Sequence, residues 1–261
     1  MPRFEPHPER RAAVVTGASS GHGLATARAL AAAGHPVVLG ARRLDRLEEA
    51  AAKIVADGGE AVGVALDLTD DASIDAFAAS AQERLGPIEI VVSNAGDVLP
   101  ATALGVSPED FTRQVQVNVL GAHRLVQRLG PAMVERRRGD IVFVTSDVVR
   151  VPRTYMAAYV TSKNALEGLA RAMQMELEGT GVRVSIVRPG PSTTEQGTTW
   201  TEAQVVEIMG NWEQWGLLRH SGALRGQDVA RAIHAVISTP RGTHLTLVEV
   251  EPEAPVQGGT S

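Results

Sequence analysis

Tyr159-Val-Thr-Ser-Lys163 sets a phenol and an ammonium four residues apart in a stretch that reads as helix. Positions i and i+4 share one helix face, so the ammonium can act on the phenol. A tyrosine ordinarily titrates near about 10, too high to exchange protons efficiently at neutral pH, whereas general acid–base work needs a value near ambient pH. A neighbouring positive charge is one way to lower it. Upstream, Ser146 closes the apolar run Ile141-Val-Phe-Val-Thr-Ser146. The tyrosine–lysine spacing alone is also that of an amphipathic helix with a surface lysine. Its meaning depends on the elements around it.

Apolar runs alternate with helical stretches along the whole chain, the pattern of a parallel sheet covered on both faces. The strands are expected at Ala12–Thr16, Pro36–Ala41, Ala61–Asp67, Ile88–Ser93, Asp140–Thr145, Val182–Val187 and Thr243–Val250. Helices are expected over Gly23–Ala33, Leu44–Ala56, Ala72–Leu85, Pro108–Arg137 and Met156–Glu178. The expectation is an α/β chain with one Rossmann-like doubly wound sheet of about seven strands. With no repeat and no Ser/Gly linker, residues 1–261 read as one domain, with an irregular insertion at about 191–225 and a flexible Pro/Gly-rich tail over 252–261.

The first apolar run ends in Thr16-Gly-Ala-Ser-Ser-Gly-His-Gly23 and leads into a helix. Gly17, Gly21 and Gly23 allow a tight turn whose amides approach a pyrophosphate, and the helix N-terminus favours the anion. Ser19, Ser20 and the backbone of His22 belong to the same loop. The second strand ends Val37-Val-Leu-Gly-Ala-Arg42-Arg43. An acidic residue there would hold a ribose 2′-hydroxyl, whereas an arginine accommodates a 2′-phosphate. Ala41 stands at the acid position and Arg42 follows it, so NADP(H) is expected over NAD(H). Arg43 reads as a solvated residue at a helix start.

Taken in order, these motifs make the chain resemble the short-chain dehydrogenase/reductase family over roughly Ala12 to Val250. They run from the glycine loop to Asp67, Asn94-Ala-Gly96, Val117-Asn118, Ser146, Tyr159-x-x-x-Lys163 and Pro189-Gly190. The resemblance implies a catalytic set of Asn118, Ser146, Tyr159 and Lys163. Tyr159 would exchange the proton, Lys163 would lower its pKa and bind the nicotinamide ribose, Ser146 would bond the substrate oxygen, and Asn118 would anchor a relay water. It also implies that Asp67 and Leu68 flank the adenine, that Ala95 and Gly96 pack beside the ribose, and that Asn94 either joins them or ties adjacent strands. Pro189, Gly190, Ser192 and Thr194 would meet the carboxamide. His22 and Ser192 stand where the family usually carries aliphatic residues.

All three tryptophans fall within Trp200–Trp215, a segment that reads as an amphipathic helix above the cleft. Trp200, Met209 and Trp212 suggest an apolar or bulky substrate, or else a lid packed on its own protein. Tyr155 is expected to line the cleft or pack locally, and Asp147 to lie in a solvated loop or touch substrate. The expected activity is interconversion of a secondary alcohol with a ketone or aldehyde on a small molecule. A 3-oxoacyl-thioester reductase and a non-catalytic NADP-sensing protein are the alternatives. Net charge is −5 and cysteine is absent, which offers no nucleic-acid footprint and no thiolate metal site. The histidines lack ligand spacing, so no metal is expected. The polar, proline-rich start and the lack of a ~20-residue apolar run point to a cytoplasmic protein without a membrane partner; the family resemblance implies a homodimer or homotetramer, left open because the last strand runs into Glu-Pro-Glu-Ala-Pro.

Overall fold

The computed structural model describes residues 5–193 and 200–256. Seven parallel strands form one sheet in the order β3-β2-β1-β4-β5-β6-β7. They are β1 (Ala12–Thr16), β2 (Val37–Ala41), β3 (Ala61–Ala65), β4 (Ile88–Ser93), β5 (Gly139–Val144), β6 (Val182–Pro189) and β7 (Leu247–Val250). Both faces of β1, β4 and β5 are buried, which is why these strands read as continuous apolar runs.

One face is covered by α1 (Gly21–Ala32), α2 (Leu44–Ala56) and α8 (Gly226–Ser238). The other is covered by α3 (Asp71–Leu85), α5 (Ala122–Glu135) and α6 (Ala157–Glu176), packed around Phe77, Leu125, Phe143 and Leu166. Strand order reverses at β1, which pairs with β2 on one side and β4 on the other. That reversal opens a crevice at the carboxyl ends of the strands, the place where such sheets bind ligands.

The helix expected over Pro108–Arg137 is divided. Ser107 caps α4 (Pro108–Val115) by accepting from the Asp110 amide at 3.0 Å. A π-helical turn, Gln116–Gly121, then precedes α5. Such turns add a residue to the helix and concentrate at functional sites. Here Gly121 lies so close to the Leu68 backbone that a Cβ would overlap it. The last strand is shorter than expected, because residues 243–246 approach β6 without forming a ladder of their own. Between β6 and α8, the capping box of Thr201 and Gln204 starts α7 (Glu202–Gln214), leaving Trp200 and Trp215 beyond its ends. Among the described residues no helix is long and apolar enough to cross a membrane.

Candidate active site

A cleft of about 610 Å³ runs along the carboxyl ends of the strands. At one end lies the glycine loop. Gly17 and Gly21 have φ of 67° and 53°, values that favour glycine. A Cβ on Gly17 would stand 2.8 Å from Ala95 Cα, and one on Gly23 would collide with the Gly17 carbonyl. The loop is therefore a backbone cradle opening onto the start of α1, shaped for a phosphate. Arg42, Arg43, Asp67 and Leu68 line the same end. Arg43 donates to Ser19 Oγ at 3.0 Å, reaching back over the loop. It is exposed at the start of α2, as expected, and also borders the cleft.

Asp67 Oδ1 accepts from the Thr69 amide and hydroxyl at 2.9 and 2.7 Å. Burial works to raise its pKa, but these bonds and Arg42 outweigh it and hold it below the usual value. Asn94 ties adjacent strands: its amide donates to Thr16 Oγ1 at 3.0 Å and its Nδ2 to Thr16 O at 2.9 Å. Asn94, Ala95 and Gly96 nonetheless line the cleft.

At the far end, β5 delivers Ser146 and α6 delivers Tyr159 and Lys163, all buried and all lining the cleft. Lys163 Nζ donates to Val144 O at 3.0 Å and lies 5.6 Å from the Tyr159 ring centroid. Burial pushes the Tyr159 phenol up to about 12, partly offset by its hydrogen bond with Ser146. Burial also brings Lys163 down to about 8. The expectation that Lys163 lowers the phenol pKa is not met here. The ammonium sits over the ring and bonds a carbonyl, and burial of the phenol dominates.

Asn118, in the π-helical turn, accepts from the Asp97 amide at 2.7 Å and donates to Asp97 O and Ser162 Oγ, each at 2.9 Å. It is fully buried behind the cleft wall. Ser162 in turn donates to Tyr159 O at 2.8 Å, so Asn118 is bonded to the backbone of the tyrosine's own helix through one hydroxyl.

The cleft architecture and the motif order have a counterpart in known proteins. The family model "short chain dehydrogenase" matches residues 11–205. The chain belongs to the short-chain dehydrogenase family. It is 32% identical to 2,3-dihydro-2,3-dihydroxybenzoate dehydrogenase of Bacillus subtilis over 92% of this chain and 93% of that one. It is 34% identical to glycine betaine reductase of Emericella nidulans over 93% of this chain, but spans only 19% of that longer protein. Among solved structures, an alcohol dehydrogenase from the archaeon Thermococcus sibiricus complexed with 5-hydroxy-NADP superposes with a TM-score of 0.80. That pair is 30% identical and covers 93% of this chain and 96% of the other.

Within this short-chain dehydrogenase, Pro189, Gly190 and Ser192 line the cleft, with Ser192 Oγ donating to Gly190 O at 2.8 Å. Thr194 lies outside the described residues. His22 also lines the cleft; its buried Nε2 has no partner among the described residues, and burial followed by the charge of Lys163 lowers its pKa to about 4. Trp200, Met209 and Trp212 line the substrate end with Val98, Val148 and Met156. Tyr155 does not line the cleft. Its backbone is left-handed, φ 62°, and its hydroxyl donates to Glu207 on α7 at 2.7 Å, tying the loop to the helix from outside. Asp147 is no solvated loop residue. It is buried and paired with Arg153, which itself lies 5.4 Å from the Trp212 ring. The sequence signalled Asp147 by its place after Ser146, but nothing in the pattern signalled Arg153.

Proposed function

We propose that this short-chain dehydrogenase interconverts a secondary alcohol and a ketone or aldehyde with NADP(H), acting on a bulky, largely apolar small molecule. The observation that carries the reading is the joint burial of Ser146, Tyr159 and Lys163 at one end of a cleft whose other end is the glycine loop. The loop fits a dinucleotide pyrophosphate, since the space a Gly17 or Gly23 side chain would fill is closed. Arg42 and Arg43 beside Ser19 fit a 2′-phosphate, as does the likeness to an alcohol dehydrogenase complexed with 5-hydroxy-NADP.

When bound, the nicotinamide supplies or accepts the hydride. The residues of the chain handle the proton and the oxygen. A phenol with a pKa near 12 is fully protonated at neutral pH, so Tyr159 is poised to donate to an oxygen gaining negative charge. Ser146 stands beside it to stabilise the same oxygen, and Lys163, charged below about 8, adds positive potential under the ring. Asn118 fixes α6 against the Asp97 segment. Val98, Val148, Met156, Trp200, Met209 and Trp212 form an apolar compartment beyond Tyr159, with α7 as its lid.

A cytoplasmic homodimer or homotetramer completes the reading; exposed Leu247 on the open β7 edge, with exposed Leu245 just before it, offers a second copy an apolar contact. The test is NADPH and NADH consumption against a panel of ring and aryl ketones, with the alcohols run in reverse. Turnover favouring NADPH supports the reading; no turnover with any carbonyl or alcohol, despite NADPH binding, refutes it.

A further inference from the structure

Among the described residues two ion pairs line the cleft, Arg113–Asp97 and Asp147–Arg153, and the second is the buried one, standing between Ser146 and Trp212. Asp147 follows Ser146 in a 3₁₀ turn, Asp147–Val149, and Arg153 comes from the loop that leads to α6. Arg153 donates through Nη1 to Asp147 Oδ1 at 2.9 Å and through Nη2 to Asp147 Oδ2. Both side chains are more than nine-tenths buried, at 8% and 7% exposure, and both line the cleft. The guanidinium is also within cation–π reach of Trp212, which lines the same compartment. Nothing about alcohol or carbonyl chemistry requires this pair.

Its hydrogen bonding is incomplete. A guanidinium carries five N–H donors, and Asp147 takes two of those on Arg153. Nε has no acceptor among the described residues. On the other side, Asp147 Oδ1 accepts from both Arg153 Nη1 and Ser146 Oγ, the latter at 3.1 Å, whereas among the described residues Oδ2 accepts from Arg153 alone. A carboxylate oxygen can accept two bonds. The pair thus holds spare donors on Arg153 and a spare acceptor on Asp147, next to the serine that faces the reacting oxygen. Its net charge is zero, so an incoming carboxylate would gain from Arg153 and be repelled by Asp147. A hydroxyl suits both, accepting from the arginine and donating to the aspartate. Oxygens on adjacent carbons lie about one hydrogen-bond length apart, and Ser146 Oγ is 3.1 Å from Asp147 Oδ1.

We propose that the Asp147–Arg153 pair determines specificity by reading a hydroxyl on the carbon next to the reacting carbonyl, so that the substrate is an α-hydroxy ketone reduced to a vicinal diol, or that diol oxidised. This rests on the carbonyl–alcohol reading above and narrows it. The apolar walls take the rest of the molecule, and the pair takes one neutral polar group beside the bond that changes.

The experiment compares cyclohexanone, 2-hydroxycyclohexanone and 2-oxocyclohexane carboxylate on the NADPH-loaded full chain, by kcat/KM and by binding read from tryptophan emission. The wild type is expected to prefer the hydroxy ketone to cyclohexanone by at least about tenfold, the low end of what one hydrogen bond to a charged group is worth. The double variant Asp147→Asn/Arg153→Gln removes both charges together, leaving no buried ion unpaired, and is expected to bring that ratio close to one. Arg153→Lys keeps the charge but loses the planar fork, so it should give an intermediate ratio if the double variant does not fold. Equal wild-type values for the two ketones overturn the proposal, as does a preference for the oxo acid. A double variant that loses both ketones by the same factor also overturns it, since that marks a role in holding the loop alone. If neither ketone consumes NADPH, the binding arm decides: tighter binding of the hydroxy ketone sustains the proposal and equal binding overturns it. The carbonyl–alcohol reading is then judged separately, by the wider panel.

Discussion

Lys163 Nζ lies over the face of the Tyr159 ring, 5.6 Å from its centroid, and donates its hydrogen bond to Val144 O. Burial then separates the two titrations, with the lysine at about 8 and the tyrosine at about 12. Below about 8 the site holds a charged lysine and a protonated phenol, the forms that carbonyl reduction needs. As pH rises through that value the lysine loses its charge while the phenol keeps its proton. The kcat/KM for reduction is therefore expected to be flat on the acid side and to decline above about 8. In Lys163→Arg, which stays charged, the decline should move out of the measured range. A wild-type profile level to pH 10 would contradict the assignment.

Removing the Tyr159 hydroxyl takes away the proton donor while leaving the ring that packs with Val148, Met156 and Trp212. Tyr159→Phe is expected to lower kcat by about 10²–10⁴, the usual worth of a positioned acid. NADPH binding, followed by fluorescence, should change by only a few-fold. Near-normal turnover would remove Tyr159 from the mechanism.

Arg42 and Arg43 both line the end of the cleft near Ser19. A hydrogen bond to a charged group is worth about 1.5–3 kcal/mol, roughly ten- to a hundred-fold in affinity. Arg42→Ala is expected to weaken NADPH by about that factor and to leave NADH nearly untouched, as measured by titration with both. Arg43→Ala should show a smaller loss of the same kind, because one of its donors is engaged by Ser19. If both variants keep the wild-type preference, another group reads the 2′-phosphate.

Gly23 shows how the cradle depends on absent atoms. A Cβ there would meet the Gly17 carbonyl and the Asn94 side chain, two parts of the frame that joins the loop to β4. Gly23→Ala is expected to weaken NADPH binding at least tenfold and to lower Tm, whereas Gly168→Ala should do neither. Gly168 lies within α6 with nothing near its would-be Cβ, and alanine is favoured by about 1 kcal/mol in a helix. Calorimetry and cofactor titration on the two variants separate close approach from helix propensity.

The sheet was legible because buried parallel strands must be apolar on both faces, and β1, β4 and β5 have few other ways to read. The glycine loop and the Tyr159/Lys163 pair were legible because their spacing is local to a turn or a helix, whereas Ser146, on a different element, was reached only through the family resemblance. What escaped was set by contacts between distant segments. The break between α4 and α5 depends on Gly121 meeting Leu68. Arg43 stays exposed but reaches across to the loop, where Ser19 offers an acceptor. Arg153 becomes a cleft residue only when Asp147 and Trp212 close around it. Tyr155 turns away because the left-handed backbone aims it at Glu207. The pKa order of Tyr159 and Lys163 depends on burial, which an i, i+4 spacing does not encode.

His22 makes a prediction about stability as well as about the site. Its Nε2 is buried without a partner among the described residues, and burial, followed by the charge of Lys163, lowers its pKa to about 4. In the unfolded chain the same imidazole titrates near about 6.5. The folded value is the lower one, so between the two the unfolded state binds more protons and stability rises with pH. The contribution is complete above about 6.5 and is lost as pH falls through about 4. At about 1.36 kcal/mol per unit, the loss by pH 4.5 is at most about 2.5 kcal/mol, or roughly 5–10 °C in Tm for a chain of this size. In His22→Ile the fall in Tm between pH 7 and 4.5 should be shallower by up to that amount. His7, also lowered to about 4 by burial and then by Arg11, and His35, lowered by burial and then by Arg11, are untouched by the variant and contribute to the slope that remains. Parallel Tm curves for the two proteins would mean that the His22 ring is free to reach solvent and take its proton there.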